Sequence, residues 1–321
     1  MRLTKTICLV LLLCMTLTTF LLHNIYNDNN NNLSIKPTVQ ITVSPISVTS
    51  LIDREIDEIT HHKNIQTRME ERAANLRTAC QENPQFKIRR TKFSIIVLED
   101  YNVTACVVLK VGASTFTSLL VQVLNDTELK RLKKDYLIIT KYAPSPQRFK
   151  EVLKSSTFQK ILFVRDPLER LLSAYTNRIQ VQTLNNGQAA FYGPDILKTV
   201  RKLILPKEGY FHRNKTLKII PTFSEFVEYL TLKVPHNYNT HWKPISLVCS
   251  LCKINYTHVI RMETYTEDLQ TLMRMTGMDQ KVNKSHLTRH SNRSPTNTSQ
   301  VLVENYSDFE TRGAGKNCRY L

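Results

Sequence analysis

The stretch Ile161–Tyr175, ILFVRDPLERLLSAY, places one arginine at the seam between an apolar run and an amphipathic run. Pro167 suits a first helical position, where its missing N–H costs nothing. Asp166 then falls at the N-cap and Glu169 three residues on, a capping-box spacing with Asp in place of Ser/Thr. Leu168, Leu171, Leu172 and Tyr175 share a face that a core would cover. Arg165 is thereby expected just beyond the carboxyl end of a strand, the edge where open α/β sheets bind ligands. A guanidinium beside a helix N-terminus favours an anion, and its fork matches a phosphate. The competing reading is an arginine paired with a nearby carboxylate.

A second seam repeats the pattern. In CVVLKVGASTFTSLL, residues 106–120, a strand-like run passes through a short loop into a helix. The loop holds Gly112, one of only seven glycines, with Lys110 before it and Ser114 and Thr115 after it. Glycine lets backbone approach a ligand, the hydroxyls and amides supply donors, and the lysine adds a point charge. The lysine precedes the glycine, so this is not a Walker A loop. A nucleotide kinase would also need an acidic magnesium motif, and none is visible.

The elements that must carry these turns follow from periodicity. Strands are expected at Phe93–Glu99, Ala105–Leu109, Tyr136–Thr140, within KILFVR, and at His258–Glu263. Helices are expected at Thr115–Leu124, from Pro167 to about Gln180, at Phe223–Leu232 and at Glu267–Met275. Such alternation implies an α/β fold with a mostly parallel sheet flanked by helices.

The N-terminal part reads differently. MRLTKT is short and basic, and Ile7–Leu22 is an uncharged apolar run. A cleaved signal peptide fits this pattern, but no small-x-small cleavage site follows, which favours an uncleaved signal anchor with the remainder lumenal. The Asn-rich stretch after it has nothing to build a core from. Residues 51–77 look helical and highly charged, with a thin stripe of Ile52, Ile56, Ile59, Met69, Ala73 and Leu76. The expected organisation is a cytoplasmic tail at 1–6, an anchor at 7–22, a stem at 23–79 and a catalytic domain at 80–321.

Charge and sequons narrow the partner. Residues 1–80 hold eight Lys/Arg and seven Asp/Glu, so +16 of the overall +17 falls on residues 81–321. That field favours a polyanion. Sequons at Asn32, Asn102, Asn125, Asn214, Asn255, Asn283, Asn292, Asn297 and Asn305 point to the secretory pathway, which argues against nucleic acid. Of seven cysteines, Cys80, Cys106, Cys249, Cys252 and Cys318 would lie in an oxidising lumen. The lone Cys249-Ser-Leu-Cys252 lacks a second ligand pair for zinc and reads as structural disulfide chemistry.

The two turns, in this order, resemble those of the Golgi carbohydrate sulfotransferases of the chondroitin 4-O-sulfotransferase type. RDPLERLLSAY matches that family's 3′-phosphate motif, with Leu168 where Phe is usual. Lys110, Val111 and Gly112 match its 5′-phosphosulfate motif, with Leu109 in place of Pro, Ala113 of Cys, Phe116 of Trp and Thr117 of a frequent Lys. The likeness extends through FSEFVEYL, THWKPISLVCSLCKINYTHVIRMET and NRS, over roughly residues 80–300. The tail NYSDFETRGAGKNCRYL keeps only Tyr306, Asp308 and Phe309 of the usual ending.

The resemblance implies a P-loop-like sheet behind a type II Golgi anchor, with 3′-phosphoadenosine 5′-phosphosulfate (PAPS) as donor and no metal. The implied cofactor-binding set is Leu109, Lys110, Val111, Gly112, Ala113, Ser114 and Thr115 at the first turn. At the second it is Arg165, Asp166, Pro167, Leu168, Glu169, Arg170, Leu171, Leu172 and Ser173, with Arg165 and Ser173 on the 3′-phosphate. Sulfuryl transfer needs cations for the leaving group and a base for the attacking hydroxyl. Lys110 serves the first need. For the second, His241 precedes the only tryptophan, Trp242, in THWKP, where an indole could pack on a sugar face. Alternatively, His241 only caps or packs a loop. The implied acceptor is an acidic glycan or glycosaminoglycan, of the chondroitin/dermatan N-acetylgalactosamine type. A lumenal glycan- or PAP-binding protein of the same fold without turnover is the alternative.

Overall fold

The structure is a computed structural model that describes residues 48–84, 94–132, 137–181 and 187–282. The expected tail and anchor, the first part of the stem, and residues 283–321 lie outside the described residues. Among the described residues no helix is long and apolar enough to cross a membrane.

Four strands, β1 (Ile95–Leu98), β2 (Val103–Cys106), β3 (Gln159–Val164) and β4 (His258–Arg261), form one sheet in chain order. β1 pairs antiparallel with β2, and β2, β3 and β4 are mutually parallel. β2 and β4 are buried along their whole length, as is β3 from Lys160 on, which is why their apolar runs show no alternation. The mostly parallel α/β expectation holds, with shorter strands. Glu99 leaves the ladder in a 3₁₀ turn, and β2 ends at Cys106 rather than running to Leu109. Val107 and Val108 are buried without being strand.

One expected strand is a helix. Ile138–Lys141 forms a single helical turn, with Ile138 fully buried. A short apolar run does not distinguish the two states. Here the following carbonyl of Tyr142 accepts from Val97 N of the edge strand β1 at 3.0 Å, and the ladder goes no further.

The principal helices are α1 (Val48–Glu82), α2 (Ala113–Val123), α3 (Pro146–Lys154), α4 (Pro167–Tyr175), α5 (Gly187–Val200), α6 (Phe223–Thr231) and α7 (Tyr265–Met275). A π-helical turn, Thr176–Gln180, extends α4. α6 starts on a full capping box between Thr222 and Glu225.

α1, expected as part of the stem, packs on the sheet and its helices. Ile56 and Ile59 are exposed, but Ile65, Met69, Ala73 and Leu76 are buried in the main core. Their spacing of three and four residues makes one stripe, which packs on β4 and α7. Arg72, itself buried, donates to the fully buried Asp268 at 2.7 Å, and Arg68 takes the other carboxylate oxygen at 2.7 Å. Thr264 donates to the same Asp268 at 2.6 Å. Removing one partner of such a pair leaves an uncompensated buried charge.

The CxxC cysteines do not pair with each other. Cys252 bonds to Cys80 at the end of α1, and Cys249 to Cys106 at the end of β2. Together they tie the segment after Trp242 to α1 and to the sheet.

Candidate active site

Three parallel strands end on the same side of the sheet. Each delivers a turn: Leu109–Gly112 after β2, Arg165–Asp166 after β3, and Met262–Thr264 after β4. They enclose a cavity of about 500 Å³. From the expected set, Lys110, Gly112, Ala113, Ser114, Thr115, Arg165 and Ser173 line it. The opposite wall is Met262–Glu267, which sequence reading left out.

The first turn is tight because Lys110 and Gly112 both have positive φ, at 72° and 82°. Gly112 is required by its neighbour as well as by its own backbone. Tyr265 Oη donates to Gly112 O at 2.8 Å, and a Cβ at 112 would lie 2.4 Å from Tyr265 Cε2. The first and third turns are thus locked together. Val111 is buried in the core, and Phe116 packs on Phe163 with centroids 4.7 Å apart. Phe116 is a core residue, so its departure from the family's Trp is a matter of packing behind the loop.

At the second turn Asp166 caps α4, accepting from Leu168 N and Glu169 N at 2.9 Å, with Pro167 in the first turn. The expected capping box is only half made. Glu169 turns instead to Arg165, whose Nε lies 3.2 Å from its carboxylate. Leu168 is exposed rather than core-facing, whereas Leu171, Leu172 and Tyr175 are buried. Arg170 is buried as well and does not line this cavity. Its guanidinium donates to the carbonyls of Leu109 (3.0 Å), Lys243 (2.8 Å) and Thr240 (3.3 Å). It fastens the first turn to the segment carrying His241 and so acts as a positioning residue. Asp166, Pro167, Leu168, Glu169, Leu171 and Leu172 shape the turn from outside the cavity lining.

The site is strongly cationic. Lys110 Nζ donates to Asn177 Oδ1 at 2.7 Å and meets no carboxylate among the described residues. Burial, then the charges of Arg178, Arg165 and Arg170, lower its pKa to about 7. Glu263 and Glu267 on the far wall are already paired, with Arg261 at 3.2 Å and Arg68 at 3.0 Å. They do not neutralise the lysine end.

His241 is almost fully buried and lies outside the cavity lining. Its backbone N–H donates to Asn239 Oδ1 at 3.0 Å, and its Nδ1 is 2.6 Å from the same oxygen. Burial, then Arg178, Lys110 and Arg170, lower its pKa to about 3, so it is neutral. Trp242 is not available to a sugar. It is buried edge-to-face against Phe226 and Tyr192, with centroids 5.2 and 4.8 Å away, in a second core with Leu171, Leu172 and Tyr175. Among the described residues no cluster of His, Cys, Asp or Glu could hold a metal ion.

The missed contributors had signals. Met262–Glu267 follows a strand end just as Arg165 does. Asn177 and Arg178 sit two and three residues past the SAY of the motif. Asn239 carried no cue beyond its proximity to His241.

The comparisons agree with this geometry. The family model described as "Sulfotransferase family" matches residues 93–312. The chain is 29% identical over 195 residues to the zebrafish (Danio rerio) protein named carbohydrate sulfotransferase 14, covering 59% of this chain and 49% of that one. It is 34% identical over 127 residues to rat (Rattus norvegicus) carbohydrate sulfotransferase 11, covering 38% and 34%. With human (Homo sapiens) carbohydrate sulfotransferase 9 the identity is 30% over 158 residues, covering 48% and 33%. The chain spans about half, or less, of the length of these relatives. No solved structure matches it. With the family model covering more than half of its length, the chain belongs to the sulfotransferase family.

Proposed function

We propose that this protein transfers sulfate from PAPS to a hydroxyl of an acidic glycan, of the chondroitin or dermatan type with N-acetylgalactosamine as the acceptor sugar. One observation carries the reading. Lys110 and Arg165 line the cavity, Arg170 and Arg178 stand close enough to Lys110 to lower its pKa, and Glu169 is the only carboxylate paired with any of the four among the described residues. Such an excess of buried positive charge suits a ligand with anionic groups at two ends. The family and the relatives' names support a sulfate donor and a carbohydrate acceptor, and the motif resemblance supports the chondroitin type.

Bound in the cavity, PAPS would supply an activated sulfuryl group on a phosphate leaving group. Lys110, Ser114 and Thr115 would hold the 5′-phosphosulfate end, and Arg165 and Ser173 the 3′-phosphate. Lys110 stabilises the charge that grows on the leaving phosphate. His241 takes the proton of the attacking hydroxyl at Nε2. Its low pKa in the unliganded protein comes partly from three cations. Burial is the larger cause and persists, but pairing of Lys110 with an anionic donor removes one of those charges and so raises the pKa, which strengthens the base.

Compartment follows the same reading. Asn102, Asn125, Asn214 and Asn255, the sequons within the described residues, are all exposed. Two disulfides suit an oxidising lumen. A type II Golgi membrane protein, anchored through residues 7–22, fits both.

The test is transfer of radiolabelled sulfate from PAPS to a panel of desulfated chondroitin, dermatan and other glucuronyl glycans. Transfer to the galactosamine-containing members is expected. Tight PAP binding with no transfer to any glycan would assign a binding protein without turnover.

A further inference from the structure

The π-helical turn after α4 is the part of the site that the donor does not explain. A π-turn shifts the register of the residues beyond it and is frequent at functional sites. Here it presents Asn177 to Lys110 Nζ and leaves Arg178 directly after it. Arg178 is half-buried, its Nε is fully buried, and that atom has no hydrogen-bond partner among the described residues. No carboxylate faces this guanidinium among the described residues. A buried guanidinium N–H without a partner is costly unless a ligand pairs with it.

Its place separates it from the donor site. Arg178 is not among the residues that line the cavity. It is nevertheless the leading charged neighbour of both Lys110 and His241. In the proposed reaction those two residues serve the donor and the acceptor hydroxyl. A cation beside the base, outside the donor cavity, faces whatever brings that hydroxyl in.

We propose that Arg178 binds an acidic group of the acceptor glycan, next to the reacting hydroxyl, and so selects for acidic acceptors. This rests on the sulfotransferase reading of the same site. The guanidinium fork suits a carboxylate or a sulfate ester equally. A uronic acid neighbour or a sulfate already on the chain would satisfy it.

The experiment measures equilibrium glycan binding to the full chain in detergent, with and without PAP. Three ligands are compared: unsulfated chondroitin, carboxyl-reduced chondroitin, and carboxyl-reduced chondroitin carrying sulfate esters. Wild type is expected to lose about tenfold in affinity or more on carboxyl reduction, the scale of one charge-assisted hydrogen bond. Recovery by the sulfated ligand would make sulfate an equivalent source of the charge, and no recovery would assign the carboxylate. At about pH 6, where Lys110 stays charged in either case, Arg178→Gln is expected to bind chondroitin and its carboxyl-reduced form equally, with PAP affinity unchanged, and Arg178→Lys to discriminate partially. PAP affinity also reports that each variant is folded. Undiminished discrimination in Arg178→Gln would overturn the proposal. So would a drop in kcat alone, because that would place Arg178 on the transferred group. Failure of wild type to bind PAP would instead count against the donor reading, while the glycan comparison without PAP would still report on Arg178.

Discussion

Asn239 Oδ1 accepts two hydrogen bonds from His241, one from the backbone N–H at 3.0 Å and one from Nδ1 at 2.6 Å. The backbone bond identifies the amide atom as oxygen, because an N–H needs an acceptor. Nδ1 must therefore carry the proton, and Nε2 keeps its lone pair. The tautomer that a general base needs is set by a residue two positions away.

With His241 proposed as the base, removing it and removing its holder should differ in degree. His241→Ala is expected to lower kcat by about 10²–10⁴-fold with PAP affinity nearly unchanged. Asn239→Ala should lower kcat less, since the correct tautomer is still populated. Steady-state kinetics together with PAP titration of both variants checks this. Near wild-type turnover in His241→Ala would move the base elsewhere.

Lys110 should make donor binding depend on pH. Its folded pKa is lowered to about 7, so the ammonium is lost as pH rises through that value. PAP affinity is expected to fall above neutrality, and binding there should take up about one proton, as anion pairing restores the charge. Unliganded stability should run the other way. A group whose folded pKa lies below its unfolded value contributes more as pH climbs from about 7 toward the ordinary lysine range. Calorimetry in buffers of different ionisation enthalpy measures the uptake. Lys110→Arg, which stays charged, should abolish it.

Trp242 should behave as a core residue. Trp242→Ala is expected to destabilise the fold by about 3–5 kcal/mol, the usual cost of a large buried aromatic. Trp242→Phe should keep KM for the glycan close to wild type, because the indole sits between Phe226 and Tyr192. A raised KM with unchanged melting temperature would return the indole to the sugar.

The exposed sequons allow a direct check of compartment. Microsomes containing the full chain should show glycosidase-sensitive mass on Asn102, Asn125, Asn214 or Asn255, and the domain should resist protease in sealed vesicles. Digestion in sealed vesicles, or no glycosidase shift, would count against the lumenal assignment.

Much of the two turns at the cavity was legible because their signals are local. A capped helix start with Asp166 and Pro167 is written in consecutive residues, and so is the Lys110–Thr115 loop. The alternation of elements was enough for the parallel sheet. What escaped depends on distant partners. Tyr265 explains Gly112 only once β4 lies beside β3. Arg170 reads as one more motif arginine until its three carbonyl acceptors, from two separate segments, are in view. Ile138–Lys141 has strand-like composition, and only the position of the edge strand decides its state. The stripe on α1 was visible, but its destination against β4 was not.

The most direct test of the two-turn donor site is a calorimetric comparison of PAP with adenosine 5′-phosphate, which lacks the 3′-phosphate, on wild type and Arg165→Ala. Arg165 borders the cavity and among the described residues is paired only with Glu169 and, at 3.4 Å, the Lys110 carbonyl. Wild type is expected to prefer PAP by about tenfold or more, and Arg165→Ala to bind both ligands alike at the weaker level. Equal affinity of wild type for the two ligands would contradict the assignment of Arg165 to the 3′-phosphate, and with it the donor site built on the two turns.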